Sequence, residues 1–156
     1  RHLHYRDDYE PALQIIDRLL AEQPDNGEIL TLQADIYAHQ EQYDAAEKIA
    51  SQVIFADTNN GDAWDVLATV YVNTHQPEKL LQAINQYIRV VVKKRRLPNH
   101  VVFHRALAKL WLGNIRGFRA DVKLLEKRKR PPKFLLHQLR EEEEQQLTLQ
   151  KAQEQS

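Results

Sequence analysis

The sequence predicts an all-α fold in which helical hairpins stack side by side into an α-α superhelix, closed by a C-terminal capping helix. Three observations predict it. Helix formers (Ala, Leu, Gln, Glu, Lys and Arg) dominate a 156-residue chain with only 4 Gly and 6 Pro, so turns are few and elements long. Apolar residues recur three and four apart, as one face of an α-helix requires. The chain also matches itself at a spacing of 34 residues.

In chain order, "YEPALQIIDRLLAEQPDN" (residues 9–26) reads as the second helix of a partial repeat. Full repeats follow at 27–60, 61–94 and 101–134, with 95–100 as an insertion before the last. The array thus spans 1–132, and 133–156 forms a capping helix and polar tail. Leu32–Asn60 aligns without a gap on Val66–Lys94, placing Ala34 on Ala68, Tyr37 on Tyr71, Ala50 on Ile84 and Val53 on Tyr87. Ala106–Pro132 aligns as a third copy, 40 residues on, through Ala108, Trp111, Gly117, Ala120 and Leu124. A small residue at Ala34, Ala68 and Ala108 lets two helices approach closely, and Tyr37, Tyr71 and Trp111 fill the space towards the next pair. No hairpin this short buries its apolar face alone, so the copies must stack. "QPDN" and "DTNNGD" punctuate the joins, and Pro77 falls in a first helical turn, where its missing N–H is tolerated. Phe134, Leu135, Leu136 and Leu139 form the stripe that covers the last repeat. The Glu141–Glu144 run then reads as a solvated face.

The pattern "W..LA..Y" at Trp64, Leu67, Ala68 and Tyr71, followed by second helices such as "YDAAEKIASQVI", resembles the tetratricopeptide repeat family. The resemblance runs from Tyr9 to about Lys133. It implies a right-handed solenoid whose function is non-catalytic: a protein-interaction scaffold or adaptor that receives a protein or peptide segment in its concave groove. The first helix of each unit lines that groove in the family. Carried over, the lining is Thr31, Asp35, Ala38 and His39, then Asp62, Asp65, Thr69, Val72 and Asn73, then Val102, Arg105, Lys109 and Leu112. Some members clamp a C-terminal carboxylate with Lys, Asn and Arg at set places. Here those places hold Thr31, Asp35, Val66, Val102 and Ala106, so that clamp is absent.

Charge sharpens the expectation. Residues 1–80 carry 5 Lys/Arg against 15 Asp/Glu, and residues 81–140 carry 16 against 2. A groove acidic at one end and basic at the other would take a segment of opposite layout. The basic face of residues 89–133, with Lys93, Lys94, Arg95 and Arg96 as an accessory surface, offers a second reading: nucleic acid or an anionic surface. Aromatic interleaving there is thin, and no base-reading repeat is visible. "VVKKRRLPNH" (91–100) reads first as a helix end, with cations at its negative pole and Pro98 as the stop. Self-association through an uncovered array end is a third reading.

No catalytic site is expected. Gly-rich phosphate loops and nucleophile motifs are missing, and zero Cys excludes disulfide, thiol and Cys-ligated zinc chemistry. His100 and His104 have a metal-ligand spacing, but no Glu follows His100 and His104 aligns with the packed Trp64, so packing is its expected role. Cofactors and metals are expected to be absent. No apolar run reaches membrane-spanning length. The chain opens on Arg1 rather than Met and is expected to be a fragment or processed product.

Overall fold

The computed structural model describes the backbone of residues 2–91 and 96–155, and the side chains of 8–91 and 96–155. Among these residues there are eight α-helices and no strand. They are α1 (His2–Glu22), α2 (Gly27–His39), α3 (Tyr43–Ala56), α4 (Gly61–Asn73), α5 (Pro77–Val91), α6 (Asn99–Trp111), α7 (Ile115–Glu126) and α8 (Lys133–Glu154). Consecutive helices pack as antiparallel hairpins, α4 also touches α2 and α6, and α8 lies over α6 and α7. The all-α superhelix expected from the sequence is what forms.

Helices begin where a side chain satisfies the amides that helix geometry leaves free. Asn26 accepts from the N–H groups of Glu28 and Ile29, Asn60 from Ala63, and Asn114 from Gly117. Pro77 opens α5. Pro98 precedes α6 in extended backbone, and its carbonyl accepts from both Val101 and Val102.

The first helices of the three hairpins are each 13 residues long and end alike. The second residue past each helix, Glu41, His75 or Gly113, has a positive φ of 62, 54 or 82°. The next helix starts two residues later. This fixes the register of the array. The starts of α2 and α4 lie 34 residues apart, and those of α4 and α6 lie 38 apart. The gapless third alignment at a spacing of 40 is therefore two residues out. The cause is Pro98, whose locked φ starts α6 as readily as it stops a helix, so Asn99 and His100 of the expected insertion are already helical. Burial agrees with the shorter spacing. Ala106 and Ala108 are both within the core and do not distinguish the two spacings, but Ala120 is exposed and Leu124 is 41% exposed; Phe118, Asp121 and Leu125 face inward in their stead.

The core has two parts. Ala46, Ala50, Leu80, Ala83 and Ile84 lie in the first, between α2 and α5. Leu107, Leu110, Phe118, Leu125, Leu136 and Leu139 form the second, under α8. Val72, Leu97 and Trp111 touch both and weld them together. The covering stripe of α8 is narrower than expected: Leu136 and Leu139 are buried, but Phe134 is 71% exposed. Beyond it α8 stays helical to Glu154, with Glu143 4.0 Å from Arg119 and Glu141 3.0 Å from His137.

Three core places in the third hairpin change their chemistry. At the 38-residue spacing, Arg105, Lys109 and Asp121 stand where the second hairpin has Leu67, Tyr71 and Ala83. The Arg105 Nε donates to both Asp121 oxygens at 3.1 Å, its Nη2 lies 2.6 Å from Oδ1, and the Lys109 Nζ sits 3.1 Å from Oδ2. The Asp121 side chain is only 3% exposed. A cluster of this kind satisfies its own charges, yet an apolar set of the same shape does as well or better, because no ion is taken out of water. Asp121→Ala alone strands two cations and is expected to lower the free energy of unfolding by about 3–5 kcal/mol. Borrowing the second hairpin's residues together (Arg105→Leu, Lys109→Tyr and Asp121→Ala) is expected to be neutral or to stabilise by about 1–4 kcal/mol. Urea unfolding followed by circular dichroism measures both. A triple variant as weak as the single one would show that the equivalence is mistaken.

Candidate functional site

The first helices lie side by side because each hairpin stacks on the next, and between α2 and α4 they enclose an open concavity of about 650 Å3. Thr31, Asp35, Asp62 and Asp65, four of the residues nominated from the sequence, line it, together with Glu28 and Asn60. Helical spacing explains the convergence. Asp62 and Asp65 are three apart and so share a face of α4, while Asp35 comes from the α2 face turned towards them.

Each nominated side chain has a definite place. Thr31 is buried at the floor; its hydroxyl donates to the Gly27 carbonyl at 2.7 Å and accepts from the Asn60 amide at 3.4 Å. Asp62 is exposed, and among the described residues it has no cationic partner. His39, also exposed, donates from Nδ1 to the Asp35 backbone carbonyl at 2.8 Å and lies beside the Tyr9 ring. Thr69 and Asn73 bond back into α4, to the carbonyls of Asp65 and Thr69. Ala38 and Val102 are buried and contribute no open surface.

The structure does not bring Arg105 and Lys109 into this concavity. Both bind Asp121 between α6 and α7, so the cations of the expected basic end are engaged within their own hairpin. Their nomination rested on the 40-residue spacing. At 38 residues the places of Asp62 and Asp65 fall on His100 and Phe103. Of the accessory basic surface, Arg96 is exposed in the segment before α6, and Lys93, Lys94 and Arg95 lie outside the described residues.

His100 is the groove residue that sequence reasoning missed. Its Nε2 donates to the Asp65 carboxylate at 3.1 and 3.2 Å, tying α6 to α4 across the concave side. The αL turn at "LGN" (Leu112–Asn114), matched to Glu41 and His75, is the signal that would have found it. The hydrogen bond to Asp65 raises the His100 pKa above the usual imidazole value, against a smaller opposing effect of burial. Burial holds the Asp35 carboxyl above the usual carboxylate range; His39 opposes the shift, and Asp65 and Asp62 add to it. Behind them, burial pushes His104 down to about 4, with His100 contributing, and its buried Nδ1 has no partner. His104 therefore packs as a neutral ring. Chemically, the concavity presents carboxylates to solvent with no Lys or Arg among its lining residues, Arg89 reaching only Asn59 and Thr58 at its edge, which suits the recognition of cations. Among the described residues no group of three His, Cys, Asp or Glu is placed to hold a metal ion. No helix among them is long and apolar enough to cross a membrane.

Comparison with known proteins agrees with this architecture. A family model described as "Tetratricopeptide repeat" matches residues 3–70. A solved structure described as "Crystal structure of MamA" superposes with a TM-score of 0.64 over 98% of this chain and 95% of that one, at 13% identity. That likeness is one of fold. None of the curated proteins searched matches the chain.

The buried imidazole gives the fold a pH dependence with a definite sign. Because His104 titrates near 4 when folded and near 6.5 when unfolded, protons favour the unfolded chain as pH falls through that window. The loss amounts to about 2–3 kcal/mol at the lower end. His100 acts oppositely: its bond to Asp65 stabilises the fold below pH 6.5, and the gain is lost as pH rises through its folded value. His104→Val, which copies Val66 at the equivalent place in α4, is expected to remove most of the acid loss. Urea midpoints at pH 7, 6, 5 and 4 measure it; an unchanged pH profile in the variant would rule out His104 as its source.

Proposed function

We propose that this chain, whose residues 3–70 match a family model described as tetratricopeptide repeat, is a protein-interaction scaffold whose concave face, between α2 and α4, captures a basic peptide segment of a partner protein. One observation carries the reading: Asp35, Asp62 and Asp65 converge on an open concavity with no Lys or Arg among its lining residues. Burial is the main cause of the upward shift at Asp35, but the repulsion of Asp65 and Asp62 adds to it, and a bound Lys or Arg relieves that part. Long-range attraction works in the same direction, because residues 1–80 carry 15 acidic side chains against 5 basic ones. The paired state of Arg105 and Lys109 favours a basic partner over one with charges of both signs in sequence.

Thr31 and Asn60 then hold the floor, offering polar groups to an extended backbone, and Asp65 is oriented by His100 from the neighbouring helix. A labelled peptide rich in Lys and Arg is expected to bind, with affinity falling as salt rises. The double variant Asp35→Asn, Asp65→Asn is expected to lose about tenfold in affinity or more and to flatten that salt dependence. Fluorescence anisotropy against an acidic peptide of equal length decides the matter. Equal binding of the two peptides, or an unaltered affinity in the double variant, would exclude this groove as the capture site.

A further inference from the structure

Arg128 lies in the loop between α7 and α8, where its neighbours Lys127, Lys129 and Arg130 are exposed, yet its own side chain is more than nine-tenths buried. Its Nη1 donates to the Asn99 side chain in the first turn of α6. Its Nε and Nη2, both fully buried, have no hydrogen-bond partner among the described residues. These two nitrogens form one edge of the guanidinium, the side-on fork that takes two oxygens of a single group. The same molecule shows that edge filled: Arg105 uses Nε and Nη2 to hold Asp121, at 3.1 and 2.6 Å. In Arg128 the geometry is present and the oxygens are missing. A buried, charged donor pair in this state is costly, which makes it unusual in a folded chain unless something completes it.

The surroundings specify the sign of what would complete it. Burial, and after it the charge of another cation, Arg96, lower the affinity of Arg128 for its own proton. The adjoining helix start has no side-chain cap and no acidic residue in its first turn, so the amide end of α6 adds positive potential at the same point. Anions are favoured twice over. The precedent within the fold narrows the choice further: the group that fills the same edge of Arg105 is a carboxylate, Asp121.

We infer that the free edge of Arg128, beside Asn99 and the start of α6, binds a carboxylate side chain from an acidic peptide segment. This site lies on different elements from the acidic concavity and does not rest on that reading. The full chain carries both.

The test is nuclear magnetic resonance of the arginine Nε–H groups in the 15N-labelled chain, with the Arg128 signal assigned from its loss in Arg128→Lys. A Glu-rich peptide is expected to shift that signal saturably, while a Gln peptide of equal length and inorganic phosphate at matched ionic strength leave it in place. Arg128→Lys keeps the charge but removes the fork, and is expected to weaken binding of the Glu-rich peptide by about tenfold or more. Circular dichroism confirms that the variant is folded. A response to phosphate equal to that of the peptide would overturn the carboxylate assignment. Equal binding by the lysine variant, or no shift with any probe, would overturn the site itself.

Discussion

Every hairpin in this array has an apolar face that it cannot cover by itself, and the whole structure follows from how neighbours cover it. Close approach makes that possible. Ala34, Ala68 and Ala106 stand at the same level of three successive first helices, each in the core, and their small side chains let the paired helix come near. The left-handed residues Glu41, His75 and Gly113 then reverse the chain within three residues, which holds each pair antiparallel behind a first helix of constant length. With the hairpins uniform, their first helices line up along one side. The acidic concavity is a by-product of that alignment, since residues three apart on α4 and their counterpart on α2 are brought to one place.

Against this regularity the third hairpin stands out. Its internal contact is an ion cluster where the second hairpin has Leu67, Tyr71 and Ala83. The consequence reaches the functional surface. Charges that the sequence distributes over a basic half are divided by the fold into a part held on an internal carboxylate, at Arg105 and Lys109, and a part without one, which includes Arg96 and Arg128. Net charge by segment says nothing of that division, because it depends on which residues of α6 meet α7.

Much of the architecture was legible because it rests on periodicity. The 34-residue repeat, the helical spacing within each copy and the alanines at 34 and 68 are local patterns that survive without knowledge of contacts. Asp35, Asp62 and Asp65 could be gathered into one groove for the same reason. The third copy was not legible at the same precision. As sequence, Pro98 signals only a stop, and the two-residue difference in register puts Arg105 and Lys109, half-buried on Asp121, among the groove residues and leaves His100 out. Leu124 and Phe134 failed through the same kind of slip: an apolar residue in a helix says that some face is buried, and only the partner helix says which. The vacant fork of Arg128 had no sequence signal, because Arg105 and Arg128 are the same residue type and differ only in whether a carboxylate lies opposite.

The ionic third hairpin also bears on the order in which the chain assembles. An apolar pair such as α4 and α5 gains from every partial contact, so it is able to form early and seed its neighbours. Arg105, Lys109 and Asp121 gain nothing until all three are aligned, and each resists dehydration alone. Apolar contacts of the same hairpin, at Leu107, Leu110, Phe118 and Leu125, can form step by step, so the ion cluster has a scaffold on which to align. During synthesis α6, α7 and α8 also leave the ribosome after α4 and α5, so that alignment takes place beside a hairpin already made.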